Sequence, residues 1–172
     1  PQGFEVKPMF EGTLPGSPPV EMVAFSREIA EVSRQADGVR IIIDETGEQL
    51  QLIKKALLQT AHVDTSLDAE ARALESRLLD LRQMAYGNEQ QDELGEPVPH
   101  SIGRRLSSAY MGTILSTYGP TPNHQQTLAI AKEELAEVKA GLTQLVDVDL
   151  QAFEEKLDAA GVPWTPGRAV PD

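Results

Sequence analysis

The stretch that decides the fold runs from Met22 to Leu57 and reads MVAFSREIAEVSRQADGVRIIIDETGEQLQLIKKAL. Apolar residues recur in it every three or four positions, which is the heptad spacing of a helix that buries one seam against its neighbours. The seam consists of Met22, Phe25, Ile29, Val32, Ala36, Val39, Ile43, Leu50, Ile53 and Leu57, with Thr46 in the one polar slot. The run Ile41-Ile42-Ile43 is also compatible with a β-strand, but the heptad continues on both sides of it and favours a helix.

Proline and glycine mark where this helix and three others begin and end. Ser17 before Pro18 is typical of an N-cap followed by the first helical residue, and Thr121 before Pro122 repeats the signal. Residues 64–66 can cap the second helix, and residues 88–99 are polar and acidic, as in an exposed loop. We therefore expect helices over 18–60, 67–86, 101–118 and 122–160.

The last of these helices changes its apolar register partway along. Its stripe keeps the three-four repeat up to Leu145 and then shifts by one position, continuing through Val146, Leu150, Phe153 and Leu157. This shift predicts a local change of helical winding. Two long helices with two shorter ones in series predict an all-α, antiparallel four-helix bundle in which the long helices are adjacent. Seven residues of the stripes are expected in its core: Ile29, Val32, Leu74, Leu78, Leu135, Val138 and Leu142.

Three segments are expected along the chain. Residues 1–19 are rich in Gly and Pro and form an extended segment, in which Gly3–Pro8 alternates apolar and polar residues like the last strand of an upstream β domain. Residues 20–161 form the helical bundle, and residues 162–172 form an extended tail that contains the only Trp. Since the chain does not begin with Met, we expect it to be processed or part of a longer protein.

The formal net charge of −12 and the absence of Cys exclude several classes of function. Nucleic acids and anionic membranes are bound through Lys and Arg, so neither is an expected partner. Without Cys the chain has no disulfides, thiolate metal ligands or Cys nucleophile. No stretch approaches the roughly 18 apolar residues of a membrane span, and the start of the chain has no signal-peptide pattern.

The titratable residues form no pattern that indicates catalysis, and we expect no catalytic residue, cofactor or metal. His62, His100 and His124 are not spaced as metal ligands and are expected on the surface. The carboxylates in 133–137 and in 147–158 lie on a predicted helix, where a solvated acidic face is a simpler interpretation than an acid–base pair or a cation site. The segment Gly103-Arg104-Arg105 is expected to face acidic residues of the same domain.

The most distinctive motif is the ending Gly161-Val162-Pro163-Trp164-Thr165-Pro166-Gly167-Arg168. Its prolines prevent a helix and lower the entropy lost when an extended tail docks. We expect Trp164 to act as a clasp, with its indole buried against Phe153 and Leu157 and its N–H bonded to a carbonyl. The alternative is that Trp164 stacks on a ligand. The residues predicted to have a structural role are Pro163, Trp164, Pro166, Gly167 and Arg168.

Several motifs of the chain resemble one family of proteins. They are Gly3–Pro8, Ser101-Ile102, Pro120–Pro122, Ala129–Leu135, Asp149-Leu150 and the ending Gly161–Arg168. They are similar to the extreme C-terminus of large bacterial sortilin-like proteins with BNR (Asp-box) repeats, which form β-propellers and are often labelled glycosyl hydrolase- or sialidase-like. The resemblance covers nearly the whole chain and is most specific from Pro120 to Arg168. At Val162 the family commonly has Ala.

This resemblance implies a non-catalytic, C-terminal structural or interaction module of a larger β-propeller protein that is exported to the periplasm or the cell exterior. Its expected partner is the upstream propeller of the same protein or another protein. The chain contains no Asp-box motif, so no catalytic residue of the family can be placed on it. Two alternatives stay open: an accessory part of a glycosidase- or sialidase-like enzyme whose site lies in the upstream propeller, and a free-standing helical binding protein. The sequence leaves the oligomeric state open.

Overall fold

In a computed structural model the protein is all-helical, as the heptad spacing predicts. The structure describes residues 2–4, 7, 16–61, 64–95, 97–115 and 118–169. Helix makes up 77% of the chain, and no strand occurs in the described ranges. Part of the expected strand Gly3–Pro8 and most of the extended segment 1–19 lie outside the described residues.

The described residues form six α-helices and one π-helical segment. These are α1 (Pro19–Gln59), α2 (Thr65–Tyr86), α3 (Glu89–Glu93), α4 (Ile102–Ile114), α5 (Pro122–Thr143), the π-helical segment (Gln144–Leu150) and α6 (Gln151–Ala159). The third predicted helix is shorter than expected and ends at Ile114. Near this end the Thr113 hydroxyl donates to the carbonyl of Tyr110, a local bond that competes with the helical ladder. None of the described helices combines the length and the apolar character that a membrane crossing requires.

Side chains cap the starts of three helices. Asp64, Ser101 and Thr121 each accept a hydrogen bond from a backbone N–H of the following turn, and such caps stabilise a helix by about 1 kcal/mol. At α5 the cap is reciprocal, because His124 Nδ1 accepts from the N–H of Thr121 at 3.2 Å. Of these caps, Thr121 was predicted, Asp64 was one of the candidates in 64–66, and Ser101 was expected only as the start of its helix.

The predicted cap of α1 is wrong. The helix begins at Pro19, and Pro18 takes the cap position without a side-chain hydrogen bond. Ser17 instead donates its backbone N–H to the carbonyl of Tyr118, at 2.8 Å. A proline at the start needs no N–H partner, so the helix can begin there without a capping side chain.

The core follows the predicted stripes. All seven residues expected in it are buried, with Val138 fully enclosed and Val32 the most exposed at 6%. Every residue of the α1 seam from Phe25 to Leu57 is buried except Ala36, which is half-buried. Thr46, the one polar residue of the seam, is also buried. Its hydroxyl can be buried because it donates to the carbonyl of Ile42 at 2.7 Å and is not left unsatisfied.

The predicted change of winding occurs as the π-helical segment Gln144–Leu150. Leu145 and Leu150 are both buried although five positions separate them, which is the i to i+5 step of a π-helix. The wider turn takes up one residue beyond the α-helical repeat. The segment therefore returns Phe153 and Leu157 to the core, where both are fully enclosed.

The two long helical elements, α1 and the run from α5 to α6, lie side by side and point in the same direction. Three contacts join them at successive levels: Lys132 Nζ to Glu28 Oε1 at 2.6 Å, Lys139 Nζ to Gln35 Oε1 at 3.3 Å, and Gln49 Nε2 to Glu154 Oε1 at 2.6 Å. The two residues of each pair are 104 or 105 positions apart. A constant separation means that both helices advance together, which is a parallel arrangement.

The shorter helices α2 and α4 run against both long elements. Lys54 Nζ lies 2.6 Å from Glu75 Oε2, and the Tyr86 hydroxyl donates to the carbonyl of Ala36 at 3.1 Å. Positions along α1 thus fall as positions along α2 rise. In α4, Arg105 Nε lies 2.9 Å from Glu134 Oε2, and Gly112 lies against the ring of His124. Near the start of α1 its antiparallel neighbour is α4, and near the end of α1 that neighbour is α2.

The π-helical segment should make the chain tolerant of one deletion. Removing the exposed Val148 restores the ordinary heptad, because Leu150 then takes the register position of residue 149. We expect the free energy of unfolding to fall by about 1 kcal/mol or less, mainly through loss of the partly exposed Arg77–Asp149 ion pair. Urea unfolding followed by circular dichroism measures this change.

Deletion of the exposed Ala136 from the regular part of α5 is the matched control. It turns every later core residue of the helix by roughly 100°, so we expect severe destabilisation or no folded protein. Equal destabilisation by the two deletions would contradict the role given to the π-helical segment.

Candidate functional site

Two regions are candidates for function: the C-terminal tail, residues 161–169, and an apolar groove between α1 and α4. The tail begins where α6 ends. Gly161 takes a φ of 68°, and the N–H of Val162 donates to the carbonyl of Leu157 at 3.0 Å. This is a Schellman motif, in which a glycine in the left-handed region ends a helix and an apolar residue follows it into the core. Val162 is accordingly buried.

A second turn folds the tail back on itself. Residues 165–168 form a β-turn in which the N–H of Arg168 donates to the carbonyl of Thr165 at 3.2 Å. Pro166 is its second residue, and Gly167, with a φ of 96°, is its third, which is the sequence preference of a type II turn. A Cβ at Gly167 would also come within 3.0 Å of the Gln49 side chain.

The two turns bury every third residue of the tail and leave Trp164 outside. Val162, Thr165 and Arg168 are buried, whereas Trp164 remains 48% exposed. The prediction of a buried indole is therefore wrong. The indole N–H does reach a carbonyl as expected, that of Ala169 at 2.9 Å. The tail is thus not extended over its whole length, because residues 165–168 form a turn.

Arg168 is the residue that holds the tail. Only 1% of its side chain is exposed, and its guanidinium donates to Asp158 and to the carbonyl of Pro163. Its Nε and the hydroxyl of Thr165 are buried and find no partner among the described residues. The compensation of a buried charge thus depends largely on Asp158, which lies on the predicted docking surface, the C-terminal half of the last helix.

Glu154 joins the tail to two helices. Its carboxylate accepts from Gln49 Nε2 of α1 at 2.6 Å and from the backbone N–H of Ala169. Burial raises the pKa of Glu154 above its usual value, and the bond from Ala169 and the charge of Arg168 oppose that rise. Sequence reasoning missed Gln49, since nothing in the heptad of α1 distinguishes it from the other polar residues of that helix.

Two of the other acidic residues singled out in the sequence, Asp149 and Glu134, are in ion pairs between helices. Asp149 lies 2.6 Å from Arg77, and hydrogen bonds from Gln144 and Arg77 lower its pKa. Glu134 binds Arg105, as expected for the basic triplet, and Arg104 lies 3.6 Å from Asp92. Across the part of the chain that the structure describes, no group of three metal-ligating side chains converges.

The two described histidines, His100 and His124, belong to no group of three potential metal ligands. His100 is exposed, and His124 is half-buried in the reciprocal cap of α5. His62 lies outside the described residues. The structure thus brings neither described histidine to a carboxylate cluster.

An apolar groove of about 400 Å³ opens between α1 and α4. Its floor includes Ile29, Leu106 and Leu135, and its walls carry the small residues Ser26, Ala30, Ser33, Gly103 and Ser107. Two tyrosines also line it: Tyr110, which is 51% exposed, and Tyr86, whose pKa burial raises to about 12. A larger groove between α1 and α2 is lined by five charged side chains and is less suited to an apolar contact.

Sequence reasoning missed this groove. Its signal was present as Ser26, Ala30 and Ser33, small residues three or four positions apart on a face of α1 next to the core seam. The face could not be interpreted without knowing which helix lies beside it.

Comparison of the chain with protein-family models, curated proteins and solved structures finds no match.

The role of Arg168 predicts a specific defect in the variant Asp158→Ala. Removal of the carboxylate leaves a buried guanidinium poorly compensated, which costs about 1–3 kcal/mol and falls at the low end because Asp158 is half exposed. We expect a lower midpoint of urea unfolding and faster iodide quenching of Trp164 fluorescence as the tail loosens. Glu155→Ala, which removes an exposed carboxylate of the same helix, is the control and should change neither value. Unchanged quenching in Asp158→Ala would show that the ion pair does not hold the tail.

Proposed function

We propose that this chain is a non-catalytic structural and interaction module, the C-terminal helical domain of a larger, exported β-propeller protein. The sequence resemblance between Pro120 and Arg168 supports the family assignment. The structure of the tail supports a structural role for that motif. Each of four residues has a defined part in docking the tail: Gly161, Pro166, Gly167 and Arg168.

The proposed arrangement is an antiparallel bundle of four helices in which the two shorter ones share one position. Any cross-section then holds three helices: α1, the run from α5 to α6, and either α2 or α4. The cross-helix contacts of Tyr86 with Ala36 and of Arg105 with Glu134 support this arrangement. With only three helices around the core, a side of α1 is left available to a further element.

The observation that carries the interaction role is the α1–α4 groove. It combines an apolar floor with exposed apolar side chains on α4: Tyr110, Met111, Ile114 and Leu115 are between 42% and 75% exposed. Contiguous exposed apolar side chains on an otherwise acidic surface are typical of a binding face. An apolar surface of a partner would cover this face and remove it from water.

The ion pairs support the non-catalytic part of the proposal. Glu134, considered above for acid–base chemistry, binds Arg105 between α4 and α5, while Glu133 and Glu137 are exposed. Catalytic carboxyl groups commonly lie in a cleft and have a pKa tuned towards the operating pH. Surface carboxylates with structural partners keep the domain soluble and fix the rotation of its helices.

Labelling of a single Cys tests the binding face. The chain has no Cys, so Tyr110→Cys gives one thiol at the groove, and Leu58→Cys gives a control thiol at a site that is 84% exposed. We expect the thiol at 110 to react more slowly with maleimide in the parent protein than in the dilute isolated chain, because a covered site is closed to the reagent. The thiol at 58 should react equally fast in both. Equal rates at position 110 would argue against a covered groove.

An activity assay tests the catalytic part. We expect the purified chain to turn over no sialoside, glycoside or peptide substrate above the rate of buffer alone. Turnover that a point mutation in this chain abolishes would overturn the non-catalytic assignment.

A further inference from the structure

The outer face of α1 carries a second repeat, separate from the core seam. Six residues spaced four or three positions apart lie along it: Val23, Arg27, Ala30, Arg34, Asp37 and Ile41. Because successive helical residues are rotated by about 100°, these positions share one narrow stripe. All six are exposed, and the stripe borders the α1–α4 groove, whose lining includes Ala30 and Asp37.

This stripe is complementary to a second copy of itself that runs in the opposite direction. Counted inward from its two ends, Val23 matches Ile41, Arg27 matches Asp37, and Ala30 matches Arg34. The matches are apolar with apolar, cation with carboxylate, and small with long. Two antiparallel α1 helices related by a two-fold axis near residue 32 would make each match twice, since in such a contact residue i meets j and j meets i.

The residues that form these matches are available for contact. Neither Arg27 nor Asp37 has a hydrogen bond or an ion pair within the described part of the chain. Val23 is 48% exposed and Ile41 is 56% exposed. Arg34 is already neutralised by Glu31 at 2.6 Å, so its long stem can cover the Ala30 of another copy without leaving an unpaired charge.

The groove fits the same contact. The α1 side of the groove carries the small side chains of Ser26, Ala30 and Ser33. The backbone of a second helix can therefore approach closely. Tyr110 and Ser26 both line the groove. A second, antiparallel α1 would bring its Ile41 to the level of Val23, next to Tyr110. The stripe from Val23 to Ile41 covers roughly 27 Å of helix at 1.5 Å per residue, enough for an extended contact.

We propose that two copies of this chain associate through antiparallel α1 helices seated along the α1–α4 grooves, with Arg27 of each copy paired with Asp37 of the other. This dimer proposal rests on the interaction role proposed above and specifies a second copy of the chain as the partner. Apolar contacts at Val23, Ile41 and Tyr110 supply the affinity, and the two ion pairs fix the antiparallel register.

Charge reversal tests the register. The chain should sediment as a dimer at high concentration. Arg27→Asp and Asp37→Arg should each raise the dissociation constant by roughly tenfold, because two attractive pairs become repulsive. The double variant carrying both reversals recreates the pairs with opposite polarity and should recover the wild-type constant. Sedimentation equilibrium measures the constant, and circular dichroism verifies that each exposed substitution leaves the fold intact.

A second pair of variants tests the apolar contact. Ile41→Glu should leave the chain monomeric, and Leu58→Glu, the same change at an exposed residue of α1 off the stripe, should leave the dimer unchanged. A wild-type chain that is monomeric at every concentration, or a dimer insensitive to the reversals and to Ile41→Glu, would overturn the proposal. A monomeric chain whose thiol at 110 is still protected in the parent protein would reject the dimer alone and retain the interaction role.

Discussion

The structure depends on the apolar seam of α1, because α2, α4 and the run from α5 to α6 all pack on this helix. Ile43, Leu50 and Ile53 of this seam are at most 1% exposed, and full burial of such a side chain contributes about 1.5–3 kcal/mol. The chain has few aromatic residues, so its core is assembled from aliphatic side chains in a long, thin row. Most of the stability of a helix in a protein comes from packing of its apolar face, so this seam is what stabilises the 41-residue α1.

Most of the helical architecture could be predicted from periodicity and punctuation. The sequence also predicted a local change of winding, because the apolar stripe shifts by one position after Leu145, and the structure shows this change as the π-helical segment. The partners of the charged residues could not be predicted. Lys132 reaches Glu28 on α1, and Arg77 reaches Asp149, choices that depend on how each helix is rotated and at what level it lies.

The tail shows where a sound local rule gives the wrong residue. Large apolar side chains gain most from burial, and this favoured Trp164 over Arg168. The turn chemistry of Gly161, Pro166 and Gly167 fixes the backbone first, and the backbone then decides which side chains face inward. Arg168 faces inward, where its long apolar stem packs and its charge is met by Asp158. The residues that form both turns could be recognised in the sequence. Which side chains the two turns together direct inward could not be predicted from it.

The parallel course of the two long elements has a mechanical consequence. The start of α1 and the end of α6 lie at opposite ends of the bundle, roughly 55 Å apart along its axis at 1.5 Å per residue. Tension applied between these two points acts along the helix axes and loads the α1–α5 contacts in shear, so that many must break together. Peeling, in which contacts break one after another, would need force applied at one end of the bundle. The domain therefore has the geometry of a stiff strut that holds whatever joins its two ends at a fixed distance.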